Sequence, residues 1–253
     1  MAVQYRINTL ALNIKSILTL LKSLKFGLLV FSISGFIQVA LCQEDKIPKI
    51  NFIGINFSMN MPQGDLRAHS GTYIPGFELH YYRQFRESSP FFWGVSTYYF
   101  NIGRREAVLT EFIDNTIADF RYRTVSNVWG FNGAGRVYPD LYLWKMEFYA
   151  ELLFGGKWFF TNTSKTMIDT EDSDLRMERG RFALDYGLAV GMNIPVSGIL
   201  YINTKASYLP GNATSYYARN DKAFIEFTTL EGFDLKNSST EIFRFDLGVT
   251  FAF

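Results

Sequence analysis

The sequence predicts an all-β fold: an eight-stranded antiparallel up-and-down transmembrane β-barrel over residues 43–253, preceded by a cleaved signal peptide over residues 1–42. Three observations predict it. Apolar and polar residues alternate with period two along eight successive segments. The connections between those segments are alternately short and long. Aromatic residues make up 17% of the chain, with 25 Phe and 15 Tyr, against only 19% charged residues, fewer than in an ordinary soluble domain. A soluble β-protein would have to bury those rings between sheets, whereas a membrane barrel displays them to lipid and at both interfaces.

At the N-terminus, Lys15, Lys22 and Lys25 precede an apolar run from Phe26 to Leu41 that closes on Ala40-Leu41-Cys42. The run is interrupted by Ser32, Ser34 and Gly35 and is short for a membrane span, while the small residues Ala40 and Cys42 suit cleavage before Gln43. A signal peptide is therefore expected, with a retained anchor as the competing reading. Cys42 is the only cysteine, so no intramolecular disulfide and no thiol metal site is available. Leu41 stands where a lipoprotein signal carries a small residue, which favours removal of Cys42 with the leader over its lipidation. With 25 Lys+Arg against 24 Asp+Glu, the charge balance predicts no nucleic-acid partner.

The strands follow in order. Ile53, Ile55, Phe57 and Met59 alternate with Gly54, Asn56, Ser58 and Asn60. Phe77, Leu79 and Tyr81 oppose Glu78, His80 and Tyr82; Trp93, Val95, Thr97 and Tyr99 oppose Gly94, Ser96 and Tyr98. Trp129, Phe131 and Val137 alternate with Gly130, Asn132, Ala134 and Arg136, and Met146, Phe148, Ala150 and Leu152 with Glu147, Tyr149 and Glu151. Leu184, Tyr186, Leu188, Val190 and Met192 oppose Ala183, Asp185, Gly187, Ala189 and Gly191, and a weaker seventh strand sets Leu200, Ile202, Ala206 and Tyr208 against Asn203, Lys205 and Ser207. The eighth opposes Phe243, Phe245, Leu247, Val249, Phe251 and Phe253 to Arg244, Asp246, Gly248, Thr250 and Ala252.

Connections are short at Glu87 to Pro90, Pro139 to Leu141 and Pro195 to Gly198. They are long at about Met61 to Ile74, Gly103 to Arg123, Thr161 to Arg181 and Leu209 to Thr240. Tight turns and both chain ends thus fall at one end of the barrel and four loops at the other, the layout of periplasmic turns and extracellular loops. A soluble eight-stranded barrel would put the apolar face inside. Here the polar face carries Glu78, Glu147, Glu151, Asp185, Asp246, Arg136, Lys205 and Arg244 in mid-strand, beside Gly and Ala that leave room for them in a narrow interior. Arg83 is a misfit on the apolar face, close to the Glu87 turn, where its length reaches the headgroups.

The final strand, ending Phe251-Ala252-Phe253, resembles the C-terminal signal by which outer-membrane barrels are recognised by the barrel assembly machinery. The opening hairpin, Met61-Pro62-Gln63-Gly64-Asp65 and then Gly76-Phe77-Glu78-Leu79-His80-Tyr81-Tyr82, is similar to the outer-membrane β-barrel domain family common in Bacteroidota. The likeness runs from about Ile50 to Phe253. It implies an outer-membrane location, a lipid and lipopolysaccharide environment and this fold, and little about role.

Candidate chemistry centres on the inward charges. Five acids (Glu78, Glu147, Glu151, Asp185 and Asp246) face Arg136, Lys205, Arg244 and His80. In a barrel just wide enough for its own side chains they are expected to pair into a plug, against the alternative of a selective pore. His69-Ser70 is the one feature shared with outer-membrane lipid A acyltransferases and deacylases, and no further motif supports a nucleophile with its base. Asp169, Glu171, Asp172 and Asp174 crowd the third loop but lack the Gly and terminal Glu of a calcium loop; a hydrated loop tip is the plainer reading. Trp93, Trp129, Trp144 and Trp158, with Tyr99 and Tyr208, suit an interfacial aromatic girdle better than a sugar platform. The expected function is a non-enzymatic surface or envelope-structural role without a cofactor, its extracellular partner unspecified. Lateral passage of a small hydrophobic molecule and lipid modification are the alternatives.

Overall fold

The computed structural model describes residues 51–253 except 114–115, 140–141, 144–145 and 169–172; the expected signal peptide, Cys42, Trp144, Asp169, Glu171 and Asp172 lie outside the described residues. The strands are β1 (Asn51–Pro62), β2 (Ile74–Gln84), β3 (Phe91–Ile113), β4 (Thr116–Val137), β5 (Met146–Met167), β6 (Ser173–Pro195), β7 (Leu200–Leu209), β8 (Thr214–Arg219), β9 (Phe233–Ser238) and β10 (Ile242–Ala252). All but β8 and β9 form one antiparallel ring in the order β1 to β7 and then β10. Pairing of β4 with β5 from Phe120↔Met167 to Val137↔Ala150, and of β1 with β10 from Phe52↔Ala252 to Pro62↔Ile242, leaves no open edge around the ring. At the turn end, Asn51 N donates to Phe253 O at 2.9 Å and Phe253 N to Asn51 O at 3.0 Å.

Successive side chains of a strand point to opposite faces, so the alternation becomes two surfaces. Along β1, Asn56, Ser58 and Asn60 are buried while Ile53, Ile55 and Phe57 are about half exposed. The same holds around the ring: Phe131, Leu152, Phe154, Leu188, Val190 and Leu247 face outward, and Glu78, Arg136, Asp185 and Arg244 are buried. Such an inside-out barrel is stable only where hydrocarbon surrounds it, because closure satisfies every ladder hydrogen bond internally while the outer side chains match lipid.

The strands are of two lengths. β1, β2, β7 and β10 have 10–12 residues, whereas β3, β4, β5 and β6 have 22 or 23. Ten residues at ~3.3 Å each and ~40° tilt cover about 25 Å, the height of the lipid-facing band. On β3 that distance runs from Phe91 to about Asn101, so the remainder of β3 to β6 rises as a four-stranded wall beyond the membrane. Here the expected long loops Gly103 to Arg123 and Thr161 to Arg181 are corrected: apart from Ile168 their described residues are strand, paired from Gly103↔Ser126 to Ile113↔Thr116 and from Asn162↔Met177 to Thr166↔Ser173. The outer face of this sheet meets water and its inner face carries polar groups such as Arg105, Thr124, Ser126 and Thr163 even where they are buried, so no continuous apolar face marks it. It is held instead by pairs such as Thr110 Oγ1 to Asp119 Oδ1 at 2.6 Å, Lys165 Nζ to Glu111 Oε2 at 2.7 Å, and Tyr122 to Glu111. The turn after β4 is also longer than expected, with Tyr142–Leu143 paired back onto Glu147 and Met146.

The other two connections cover the mouth of the ring. The first carries helix α1 (Gly64–Ser70), which buries Leu66 and ends at Gly71, whose φ of 96° suits glycine; Gly71 N donates to Arg67 O at 3.3 Å. The second holds the hairpin of β8 and β9 with a 3₁₀ turn at Thr229–Gly232. Tyr216 of β8 lies 5.4 Å from the Phe159 ring of β5, and its hydroxyl meets Ser238 Oγ at 2.8 Å and His69 Nδ1 at 3.3 Å. Arg105 of β3 donates to the carbonyls of Asn220 and Ala223, and Thr124 Oγ1 meets Thr229 Oγ1 at 2.7 Å.

Candidate functional site

The barrel interior is layered. At the turn end an aromatic stack closes it: Phe52 lies 5.3 Å from Phe92, 6.1 Å from Tyr138 and 6.2 Å from Tyr201. Above the stack, Arg136 donates from Nε to Glu151 Oε1 at 2.7 Å and from Nη1 to the Tyr138 hydroxyl at 2.9 Å. Its guanidinium lies between the rings of Tyr82 and Tyr149, 3.7 and 3.9 Å from their centroids. A planar cation between two ring faces is held by quadrupole attraction as well as by its carboxylate.

The centre is built on Glu78. It accepts from Lys205 Nζ at 2.5 Å, from Arg244 and from Asn56 Nδ2 at 3.2 Å, with His80 Nδ1 at 3.5 Å. Arg244 also bonds Asp246 Oδ2 at 3.1 Å, and Ser58 donates to the other oxygen of Asp246 at 2.5 Å. Lys205 stands 3.8 Å from both Glu151 and Asp246, which joins the centre to the layer below. His80 Nε2 lies 3.1 Å from Thr250 Oγ1.

Toward the loop end, Asp185 accepts from the Tyr98 hydroxyl at 2.5 Å and from Asn132 Nδ2 at 3.0 Å. Tyr98 can lie flat on the inner wall because Gly130 is opposite it: a Cβ there would fall 2.0 Å from the Tyr98 ring. The second oxygen of Asp185 faces Lys157 Nζ at 3.0 Å, and Lys157 also donates to Leu209 O at 3.1 Å and Thr240 O at 2.5 Å. Those two carbonyls flank the segment carrying β8 and β9. Above this level Phe100, Ile102, Val128, Phe159 and Tyr216 form an apolar layer under the cover.

Of the residues singled out from the sequence, Glu78, His80, Arg136, Glu151, Asp185, Lys205, Arg244 and Asp246 are brought together, each no more than 3% exposed. Glu147 continues the inward face at the turn-end rim, half-buried, opposite Asn193 in the register. Lys157 was missing from the expected set. The signal was present, since Tyr149, Glu151, Leu153, Gly155 and Lys157 keep the period of two past Leu152. The buried charges of the described lumen are therefore four acids (Glu78, Glu151, Asp185 and Asp246) and four bases (Arg136, Lys157, Lys205 and Arg244), with His80 beside them.

The remaining candidates fall elsewhere. Ser70 Oγ donates to Leu66 O at 2.6 Å within α1 and His69 turns to Tyr216, so they do not form a nucleophile and base pair. Asp174 lies opposite Lys165, and among the described residues no group of three or more His, Cys, Asp or Glu is disposed to hold a metal ion. Trp93, Trp129, Trp158 and Tyr208 are outward and exposed; Tyr99, Trp129 and Trp158 face one another across β3, β4 and β5. Phe251 is outward opposite Ile53 and Leu200, and Phe253 is exposed at the turn-end rim. A cleft of about 470 Å³ opens between α1 and β3, lined by His69, Tyr73, Asn101, Arg104, Arg219 and Asp221 among others.

No family model matches the sequence, and no curated protein does. Among solved structures, the chain is similar to Ail, the attachment invasion locus protein of Yersinia pestis, crystallised with the heparin analogue sucrose octasulfate. That match has 13% identity over 80% of this chain and 97% of Ail, with a TM-score of 0.36. Neisserial surface protein A matches at 9% identity over 80% of this chain and 97% of its own, with a TM-score of 0.39. A major outer membrane protein from Thermus thermophilus matches at 10% identity over 80% and 99%, with a TM-score of 0.40.

Proposed function

We propose that this protein is a non-enzymatic outer-membrane barrel, its lumen a self-paired plug, that serves as a rigid stand for an extracellular surface made of the β3 to β6 wall and the mouth cover. The observation that carries the reading is the set of three contacts made by Lys157: one buried ammonium pairs with the lumen acid Asp185 and hydrogen-bonds carbonyls at both ends of the covering segment. A conducting pore needs a path free of such crosslinks, and eight strands leave room only for side chains. The wall supports a surface role, since 22- and 23-residue strands exceed what a lipid band of about 25 Å requires.

The Bacteroidota-type family, the assembly role of Phe251 and Phe253, and a lipid and lipopolysaccharide environment belong to the same proposal. Support for a non-enzymatic role comes from Ser70, whose hydroxyl is spent on its own helix. The deciding experiment is planar-bilayer recording of the purified barrel: no single-channel conductance is expected. A steady conductance whose ion selectivity changes in Glu151→Gln would replace the stand with a channel.

A further inference from the structure

The outer face of β3 and β4 changes character along the strands in the order a lipid does. Lowest is a groove of about 220 Å³ in the lipid-facing surface, lined by Ile53, Leu79, Tyr81, Val95, Thr97 and Phe131 among others, and almost wholly apolar. One register step higher, Tyr99 faces Trp129. Both rings are fixed by polar bonds, Trp129 Nε1 to Thr97 Oγ1 at 2.5 Å and the Tyr99 hydroxyl to Asn127 Oδ1 at 2.6 Å, and Asn101 Nδ2 also donates to that oxygen at 2.9 Å. Aromatic rings tied to polar groups in this way belong at the border between hydrocarbon and headgroup.

Directly above the border three arginines face outward. A bulge between Asn101 and Gly103 shifts the β3 register by one residue, which turns Arg104 outward beside Val125. Arg123 stands opposite Glu106 and Arg121 opposite Val108. Arg104 Nη2 lies 2.8 Å from Glu106 and Arg121 Nε lies 3.7 Å from it, all three side chains being well exposed. The Glu106 carboxyl is held below its usual range by the Arg104 hydrogen bond and by the charges of Arg104, Arg121 and Arg123, so the three cations converge on one place. Three guanidinium groups around one carboxylate leave an excess of positive charge at the height where lipid phosphates lie, and guanidinium forks suit phosphate oxygens.

We propose that this stripe is a binding site for a phosphorylated lipid of the surrounding leaflet, with an acyl chain in the Val95 groove and a phosphate on Arg104 and Arg123. The inference rests on the outer-membrane reading, because only a membrane supplies an acyl chain to an outward groove. Charge complementarity and the apolar groove below it select a lipid phosphate over a free one.

The test uses the folded barrel in phosphatidylcholine vesicles doped with diphosphorylated lipid A or with its dephosphorylated form, and counts lipid A retained per barrel on gentle detergent extraction. The parent is expected to retain the phosphorylated form selectively. Replacing both arginines (Arg104→Gln with Arg123→Gln) should weaken retention about tenfold or more, as loss of charge-assisted bonds does. Arg83→Gln, at the opposite end of the barrel, should leave it unchanged, with folding of each variant checked by gel shift. A Val95→Trp variant, which fills the groove, should also lose retention. Equal retention of both lipids by the parent, or full retention by the double arginine variant, overturns the site. Displacement of the lipid by millimolar inorganic phosphate alone overturns the acyl-chain part in favour of a simple anion site. Failure of the parent to insert into vesicles would overturn the membrane reading itself, and the lipid site with it.

Discussion

Lys157 on β5 and Asp185 on β6 are diagonal neighbours in the register and meet at 3.0 Å in a fully buried pair whose ammonium also holds the carbonyls of Leu209 and Thr240. One lysine thus makes two hydrogen bonds and one ion pair, and a mouth cover is fastened to a lumen network through a single side chain. Replacing Lys157 with Met should leave Asp185 buried without its counter-charge, at about 3–5 kcal/mol. The gel-shift melting transition should fall markedly, and protease should cut sooner between Pro210 and Ser239. Adding Asp185→Asn should restore part of the loss. A Lys157→Met barrel that melts with the parent would show the fastening to be immaterial.

Glu151→Gln keeps volume but removes the charge that Arg136 grips at 2.7 Å between Tyr82 and Tyr149. A loss of about 1–3 kcal/mol is expected, since the guanidinium keeps its ring contacts and loses a charged acceptor. The measurement is again the temperature at which the folded band disappears; no change there would argue that Arg136 is held by the tyrosines alone.

Glycines on the two faces should respond differently to alanine. Gly130→Ala sets a Cβ 2.0 Å from the Tyr98 ring and should displace its hydroxyl from Asp185, costing about 1–3 kcal/mol. Gly135→Ala meets nothing within 4 Å and should be near neutral. Equal melting of the two variants would refute the seat proposed for Tyr98.

Acid should loosen the wall before the barrel. Partial burial pushes the Glu111 carboxyl up, but hydrogen bonds from Lys165 and Tyr122 outweigh it, and the group sits below its ordinary value near 4.5. A depressed carboxyl contributes stability that is fully present above the unfolded value and is lost as pH falls through the folded one. The effect is small at this exposed site. Hydrogen-exchange protection of residues 105–113 and 116–123, taken relative to the slower intrinsic exchange in acid, should therefore fall below about pH 4.5 while that of β1 and β10 persists. Uniform loss of protection throughout would contradict the separation of wall and barrel.

The orientation is tested by epitopes. One inserted near Asn220, in the mouth cover, should be reached by antibody on intact cells, and one in the Pro195 to Gly198 turn should be reached only after permeabilisation. The reverse pattern would invert the barrel.

The eight membrane strands and their lipid-facing residues were legible in the sequence because a strand alternates its faces at every residue and the two solvents of this barrel differ sharply. Phe243, Phe245 and Leu247 outward with Arg244 and Asp246 inward needs no knowledge of any partner. The upper parts of β3 to β6 were not legible as strand for the complementary reason: Arg104, Glu106 and Thr110 on one side and Arg105 and Glu111 on the other make both faces polar. Lys157 is hard to read as inward because the pattern of β5 passes through Gly155 and Gly156 toward that wall.

Sequence by itself determined that a charged face and an apolar face exist and which is which, since both are set by a local period of two. Only the tertiary structure decided which inward groups meet. Glu78 finds Arg244 across 166 positions, and Tyr98 finds Asp185 across 87. Those meetings depend on the stagger and diameter with which the ring closes, and on chain returning over the mouth to present Leu209 and Thr240 to Lys157. Closure is a property of all eight strands together, so no single segment carries the pairing that its charges require.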